Sequence, residues 1–148
     1  MTTNDSAAKA QSQHKDLNDG LGFQPGEIVQ EFYYDDDVDE TLRDNIETLL
    51  GTQLVDEDYR DVSDGAIIWW RAEDGEVDDL ADLLVDAAGN LDNGGLIWVL
   101  VPKAGAKNTV ATQFVEEAAK TAGLRVLSSS HVSAQWLGIR LQSRGSNR

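Results

Sequence analysis

Two runs of this chain, Ala66–Trp70 (AIIWW) and Leu96–Val101 (LIWVLV), are apolar at every position. A strand with one wet face alternates apolar and polar residues, whereas a strand apolar throughout must be covered on both faces. Parallel sheets meet that condition, because their crossover helices lie over both faces. Strands are therefore expected at Ala66–Ala72 and Gly94–Pro102. A shorter β-branched and aromatic segment, Glu27–Tyr34 (EIVQEFYY), and a weak one, QLVD (53–56), precede them. LRVLSSSHVS (124–133) and WLGIRLQSR (136–144) close the chain, and their short link allows an antiparallel pair.

Helices are expected between these strands. Leu42, Ile46, Leu49 and Leu50 share one helical face, with acids at its start and Gly51 as its stop. Val77, Leu80, Ala81, Leu84 and Ala88 align over Glu76–Ala88, and Val110, Phe114, Ala118 and Ala122 align over 109–123. The pattern predicts a three-layer α/β sandwich with a mostly parallel sheet and a C-terminal antiparallel strand pair. Residues 1–19 read as a disordered arm, 20–143 as one domain and 144–148 as a flexible basic tail. Leu21 and Phe23 are expected to anchor the start of the domain.

Charge is unevenly spread. Residues 1–92 hold 25 of the 27 acids and 5 of the 12 bases, a net −20, against +5 for residues 93–148. Such a field repels nucleic acid and anionic lipid and steers basic protein surfaces toward the first half. There is no cysteine, which removes disulfides, zinc–thiolate sites and thiol catalysis together. No apolar run reaches a membrane span, and no leader pattern is present, so a cytoplasmic protein is expected.

Three stretches carry a resemblance. LGFQPGEIV resembles the lead into the first strand of Rossmann-type methyltransferases, NGGLIWVLVPK resembles their Gly-Gly-hydrophobic strand, and AGLRVLSSS with WLGIRLQSR resembles their terminal strand pair. LGFQPGEIVQE, LVDED, WWRAEDGEVDDL and GLIWVLVPK together resemble a group of small acidic actinobacterial proteins classed as a domain of unknown function. The resemblance spans about Leu21 to Gln142. It implies a Rossmann-like scaffold and a partner from central carbon metabolism. One departure stands out. Where methyltransferases open the first strand into a glycine-rich loop, this chain has Tyr33, Tyr34, Asp35, Asp36 and Asp37, with no glycine between Gly26 and Gly51. Glycine permits close backbone approach to a cofactor. Bulky rings and three carboxylates oppose it, so a shortened scaffold without an S-adenosylmethionine or dinucleotide site is expected.

The first expectation for function is a non-catalytic regulatory or adaptor protein, without a cofactor, that binds a protein partner through Asp35, Asp36, Asp37, Asp39, Glu40, Glu73, Asp74 and Glu76. The alternative is a small Mg²⁺-dependent or phospho-accepting or ligand-binding domain using Asp35 and Asp36, with Lys103 as accessory and Asp56, Glu57, Asp58, Glu73 and Asp74 as further ligands. Against both stands the plain reading of acids at helix starts that favour the dipole. The four tryptophans are expected in the core, with Trp69 and Trp70 on opposite faces. Ser128, Ser129, Ser130 and His131 lack a nucleophile-elbow pattern, and PKAGAKNT fails the P-loop pattern. Arg60 breaks a calcium loop at DEDYRD. Lys103, Lys107, Arg140, Arg144 and Arg148 bind a carboxylate-rich partner or keep the second half soluble.

Overall fold

A computed structural model of the chain describes residues 21–143. The expected arm (1–19) and basic tail (144–148) lie outside the described residues. The elements run β1 (Val29–Phe32), α1 (Glu40–Leu50), β2 (Ser63–Trp69), α2 (Val77–Gly89), β3 (Leu91–Pro102), α3 (Thr112–Thr121), β4 (Leu124–His131) and β5 (Trp136–Ser143). They form one five-stranded sheet in the order β1-β2-β3-β5-β4. β1, β2 and β3 are parallel, and β5 lies antiparallel between β3 and β4. The weak QLVD segment contributes a single parallel bridge, Gln30 to Val55, on the free side of β1. Val55 is followed at once by Asp56, Glu57 and Asp58, which are exposed and cannot continue a covered strand.

Register divides the core into two layers. Val29, Ile67, Trp69, Trp98 and Leu100 face one side, where Leu42, Ile46 and Leu50 of α1 cover them. Phe32, Ala66, Ile68, Trp70, Ile97, Val99 and Val101 face the other, beneath Leu80 and Leu84 of α2 and Val115 and Ala118 of α3. The uninterrupted apolar runs thus serve both layers at once, and adjacent Trp69 and Trp70 separate as a regular strand requires. All four tryptophans are buried. Trp98 donates its indole N–H to the Leu21 carbonyl at 2.7 Å, which pins the start of the domain over the sheet. Leu21 and Phe23 are both buried there.

Three boundaries differ from expectation. β1 ends at Phe32, because Tyr33 takes a positive φ of 63° and leaves the sheet. β2 starts at Ser63 and ends at Trp69, ahead of the expected Ala72. In α3 the buried face is Val115, Ala118 and Ala119, with Val110 packed from the preceding loop. Phe114 and Ala122 of the expected face are half-buried and pack against the same core. The N-terminal end of α1 is capped by Asp39, whose carboxylate accepts from Leu42 N at 2.9 Å, and Gly51 closes it at φ 80°.

Gly138 shows how closely the α1 layer is packed. A Cβ there would sit 2.7 Å from Val132 Cγ1 and 2.9 Å from the Trp98 ring. Both neighbours are buried and cannot swing away. Gly138→Ala should therefore cost about 1–3 kcal/mol by overpacking, read as a lowered urea midpoint with an unchanged slope.

Candidate functional site at the carboxyl edge of the sheet

The chain leaves β1 through α1, touches the outer side of β1 at Val55, and then crosses to β2 on the inner side. The order of progress reverses there. In open α/β sheets that reversal opens a crevice beyond the carboxyl ends of the strands, and ligands bind in it. The loops after β1 (33–38), after β2 (70–75) and after β3 (103–111) meet at this edge, with Gln135 and Trp136 at the start of β5.

Arg71 fills its centre. The side chain is only 4% exposed. Its Nε donates to Asp37 Oδ2 at 3.0 Å, and a second guanidinium nitrogen donates to Asp37 Oδ1, so the pair is bidentate. Nη1 donates to the Tyr33 carbonyl at 2.8 Å and to the Trp69 carbonyl at 2.9 Å. Asp74 completes the set by accepting from Arg71 N at 2.9 Å. The planar fork of arginine suits this arrangement, since it meets one carboxylate bidentately and two carbonyls from a second nitrogen. Burial alone would lower the Arg71 pKa, but Asp37 and Asp74 outweigh it and the guanidinium is held more firmly charged. In return, Arg71 holds the Asp37 carboxyl below the usual aspartate value.

A second pair lies behind the first. Glu31 of β1 is 7% exposed and accepts both Nε and Nη2 of Arg43 from α1, at 2.7 and 2.8 Å. It also accepts the Trp69 indole N–H at 2.8 Å. Trp69 meets Trp136 edge-on at 4.9 Å, and the Arg71 guanidinium lies 5.4 Å from the Trp136 ring. Glu31, Arg43, Trp69, Trp136, Arg71 and Asp37 therefore make one connected block from α1 across the strand ends. Hydrogen bonds and cation–π contacts join it throughout.

Tyr33 seals the rim. A bulky residue at positive φ is strained, and three contacts hold it there. Its N–H donates to Glu57 at 2.8 Å, its carbonyl accepts from Arg71, and its ring stacks on Trp70 at 5.5 Å. Burial and nearby Glu57 raise its phenol pKa. Beside it, the Tyr34 hydroxyl donates to Glu40, and Arg43 lies over its ring at 4.6 Å.

The sequence-selected acids divide by role. Asp39 caps α1, Glu40 binds Tyr34 and Arg43, Asp37 and Asp74 hold Arg71, and the Glu76 N–H donates to Asp79 at the start of α2. Asp35, Asp36 and Glu73 are exposed and have no ion pair among the described residues. Together with Asp37 they form one wall of an open cavity of about 500 Å³, with Lys107, Asn108, Gln135 and Trp136 opposite. Lys107, rather than Lys103, is the lysine on this cavity. Asp56, Glu57 and Asp58 lie along a separate hollow with Glu31 and Tyr34. Among the described residues no three His, Asp or Glu side chains gather as ligands for a metal ion. Sequence reasoning missed Glu31, Arg43 and Arg71. A lone acid inside a covered strand and a lone arginine at a strand end were their only signals.

Arg71→Met should lower stability by about 2–3 kcal/mol, since two carbonyls and a carboxylate lose a charged donor while Asp37 remains half-exposed. Because the folded pKa of Asp37 lies below the ordinary 3.8, its stabilisation is present above that value and is lost as pH falls through the lower folded one. Urea midpoints measured from pH 5 to pH 2 should fall less steeply in Asp37→Asn than in the wild type.

Comparison with known proteins places this geometry. The profile of a family described as "Protein of unknown function (DUF3052)" matches residues 18–145. An uncharacterized protein of Mycobacterium tuberculosis is 42% identical over 121 residues, covering 82% of this chain and 74% of that one, and one of Mycobacterium bovis matches equally. Among solved structures, a methyltransferase from Pyrococcus furiosus superposes with a TM-score of 0.52 at 13% identity, covering 88% of this chain and 81% of that chain. The O-methyltransferase NcsB1 from neocarzinostatin biosynthesis, solved with S-adenosyl-L-homocysteine, superposes at 0.59 and 14% identity, covering 95% of this chain and 58% of that one. These superpositions establish a methyltransferase-like fold. The chain spans little more than half of NcsB1. No helix among the described residues is long and apolar enough to cross a membrane.

Proposed function

The chain belongs to the DUF3052 family, and from the geometry above we propose that it is a non-catalytic cytoplasmic adaptor or regulatory protein on a methyltransferase-like scaffold. Its partner is a protein with a basic surface, and the recognition surface is the acidic rim at the carboxyl edge of the sheet. One observation carries the reading: Arg71 and Asp37 occupy the switch-point crevice as a closed ion pair. A small organic ligand seated in the depth of the crevice would have to displace a bidentate pair, two carbonyl bonds and a strained tyrosine, and the open cavity above that pair is walled by carboxylates. The binding surface left over is the exposed rim of Asp35, Asp36 and Glu73.

The acidic first half supports the same reading. Its net −20 gives an attractive field for a basic surface at encounter, and exposed rim charges act on association rate more than on the bound state. Central carbon metabolism is the expected source of the partner, on the resemblance stated above. Charges separated by more than about 10 Å are screened at 0.1 M salt, so capture must weaken as salt rises.

The test is affinity capture from the native cytoplasm at low and moderate salt, with an Asp35→Asn/Asp36→Asn/Glu73→Gln variant run in parallel. The wild type should retain a defined protein whose yield falls with salt, and the variant should lose roughly tenfold in association rate. Equal retention by the two, or no salt-sensitive partner, contradicts the reading.

A further inference from the structure

Among the described residues, no helix covers the α1-side face of β4 and β5 in the way the rest of the sheet is covered. α1 packs over β2 and β3, while α3 lies against β4 and β5 on the opposite side. Register places Arg125 opposite Gln142, and Ser128 opposite Arg140, which in turn pairs with Trp98 of the α1 layer. Alternation on β5 then puts Arg125, Ser128, Ser130, Arg140 and Gln142 on this one face. Arg125 and Ser128 are exposed, and the other three are half-buried.

Two features of this face have no explanation in the fold. First, Arg125 and Arg140 sit one diagonal step apart, roughly 7–8 Å between backbones, which is within mutual reach of long side chains. Neither has a carboxylate partner among the described residues, in a chain where acids outnumber bases 27 to 12. Neighbouring like charges cost stability. Second, the Ser130 hydroxyl and Arg140 Nε are buried without a hydrogen-bond partner. Both can donate, and they too are diagonal neighbours. Buried donors of this kind call for an acceptor.

An oxyanion satisfies both features together. Two guanidinium forks and two serine hydroxyls offer more donors than one carboxylate can accept. Their double positive charge matches a phosphate monoester, which carries close to two negative charges and three acceptor oxygens at neutral pH. Arg125 and Ser128 are exposed beside the free edge of β4. That suits a phosphate carried on an extended protein segment rather than one enclosed in a pocket. We infer that the α1-side face of β4 and β5 binds a phosphorylated protein segment, with Arg125 and Arg140 gripping the phosphate and Ser128 and Ser130 donating to it. This surface is separate from the acidic rim, so the two readings stand or fall independently.

The experiment is an NMR titration of the isotopically labelled full chain with a short neutral peptide bearing one phosphoserine. The same peptide with serine, the same peptide with glutamate, and inorganic phosphate are the comparison ligands. The phosphopeptide should shift the Arg125 and Arg140 Nε–H signals and the Ser128–Ser130 amides saturably. Arg125→Gln and Arg140→Gln should each weaken binding at least about tenfold, the cost of one charged hydrogen bond. Arg125 is exposed and unpaired, so its variant keeps the fold even should the Arg140 variant not. The inference fails if no saturable shift occurs by about 5 mM peptide, a concentration beyond any specific weak complex. It also fails if Arg125→Gln binds unchanged, or if the glutamate peptide or inorganic phosphate binds as tightly as the phosphopeptide.

Discussion

The bidentate pair between Arg71 and Asp37 organises the functional edge of this protein. Arg71 reaches from the end of β2 to the loop after β1, and on the way it accepts the task of binding the carbonyls of Tyr33 and Trp69. Those carbonyls are the ones that a sheet leaves bare where its strands end. A buried charge is expensive unless it is paired and hydrogen-bonded, and here the partners are groups that otherwise would need water. The positive φ of Tyr33 follows from it, since the chain must turn sharply to offer its carbonyl to the guanidinium.

Behind that pair, Glu31 and Arg43 repeat the device between β1 and α1, with Trp69 and Trp136 wedged between the two pairs. The result is a crevice lined by charge yet internally neutral in its depth, with unpaired acids only on the exposed rim. A fold shared with methyltransferases is in this chain closed by its own side chains at the switch point. The β4–β5 side of the sheet has the inverse character, with Arg125 and Arg140 lacking a carboxylate partner among the described residues. The uneven charge of the two halves is therefore a layout of distinct surfaces, held on one sheet that separates them.

Much of this was legible in the residues. AIIWW and LIWVLV demanded two covering layers, and the structure supplies them from α1 on one side and α2 and α3 on the other. Gly51 marked the end of α1, and the run of acids before the helix marked its start. The ends of β1 and β2 were less legible, because Tyr33 and Arg71 have strand-like or neutral propensity and leave the sheet through tertiary contacts, while Trp70 still donates its N–H to Leu100 of β3. The roles of the acids were hidden for a related reason. Asp35, Asp36 and Asp37 are indistinguishable in sequence, yet only Asp37 meets an arginine thirty-four residues away. Lys103 and Lys107 differ likewise, by which side of a turn each occupies.

The central claim is that Arg71 and Asp37 fill the depth of the switch-point crevice in place of a small ligand. Isothermal titration of S-adenosylmethionine into the wild-type protein tests it most directly. The account predicts no saturable heat up to millimolar ligand. A saturable, one-to-one binding isotherm that disappears on introducing a bulky residue at the rim of the cavity would contradict it.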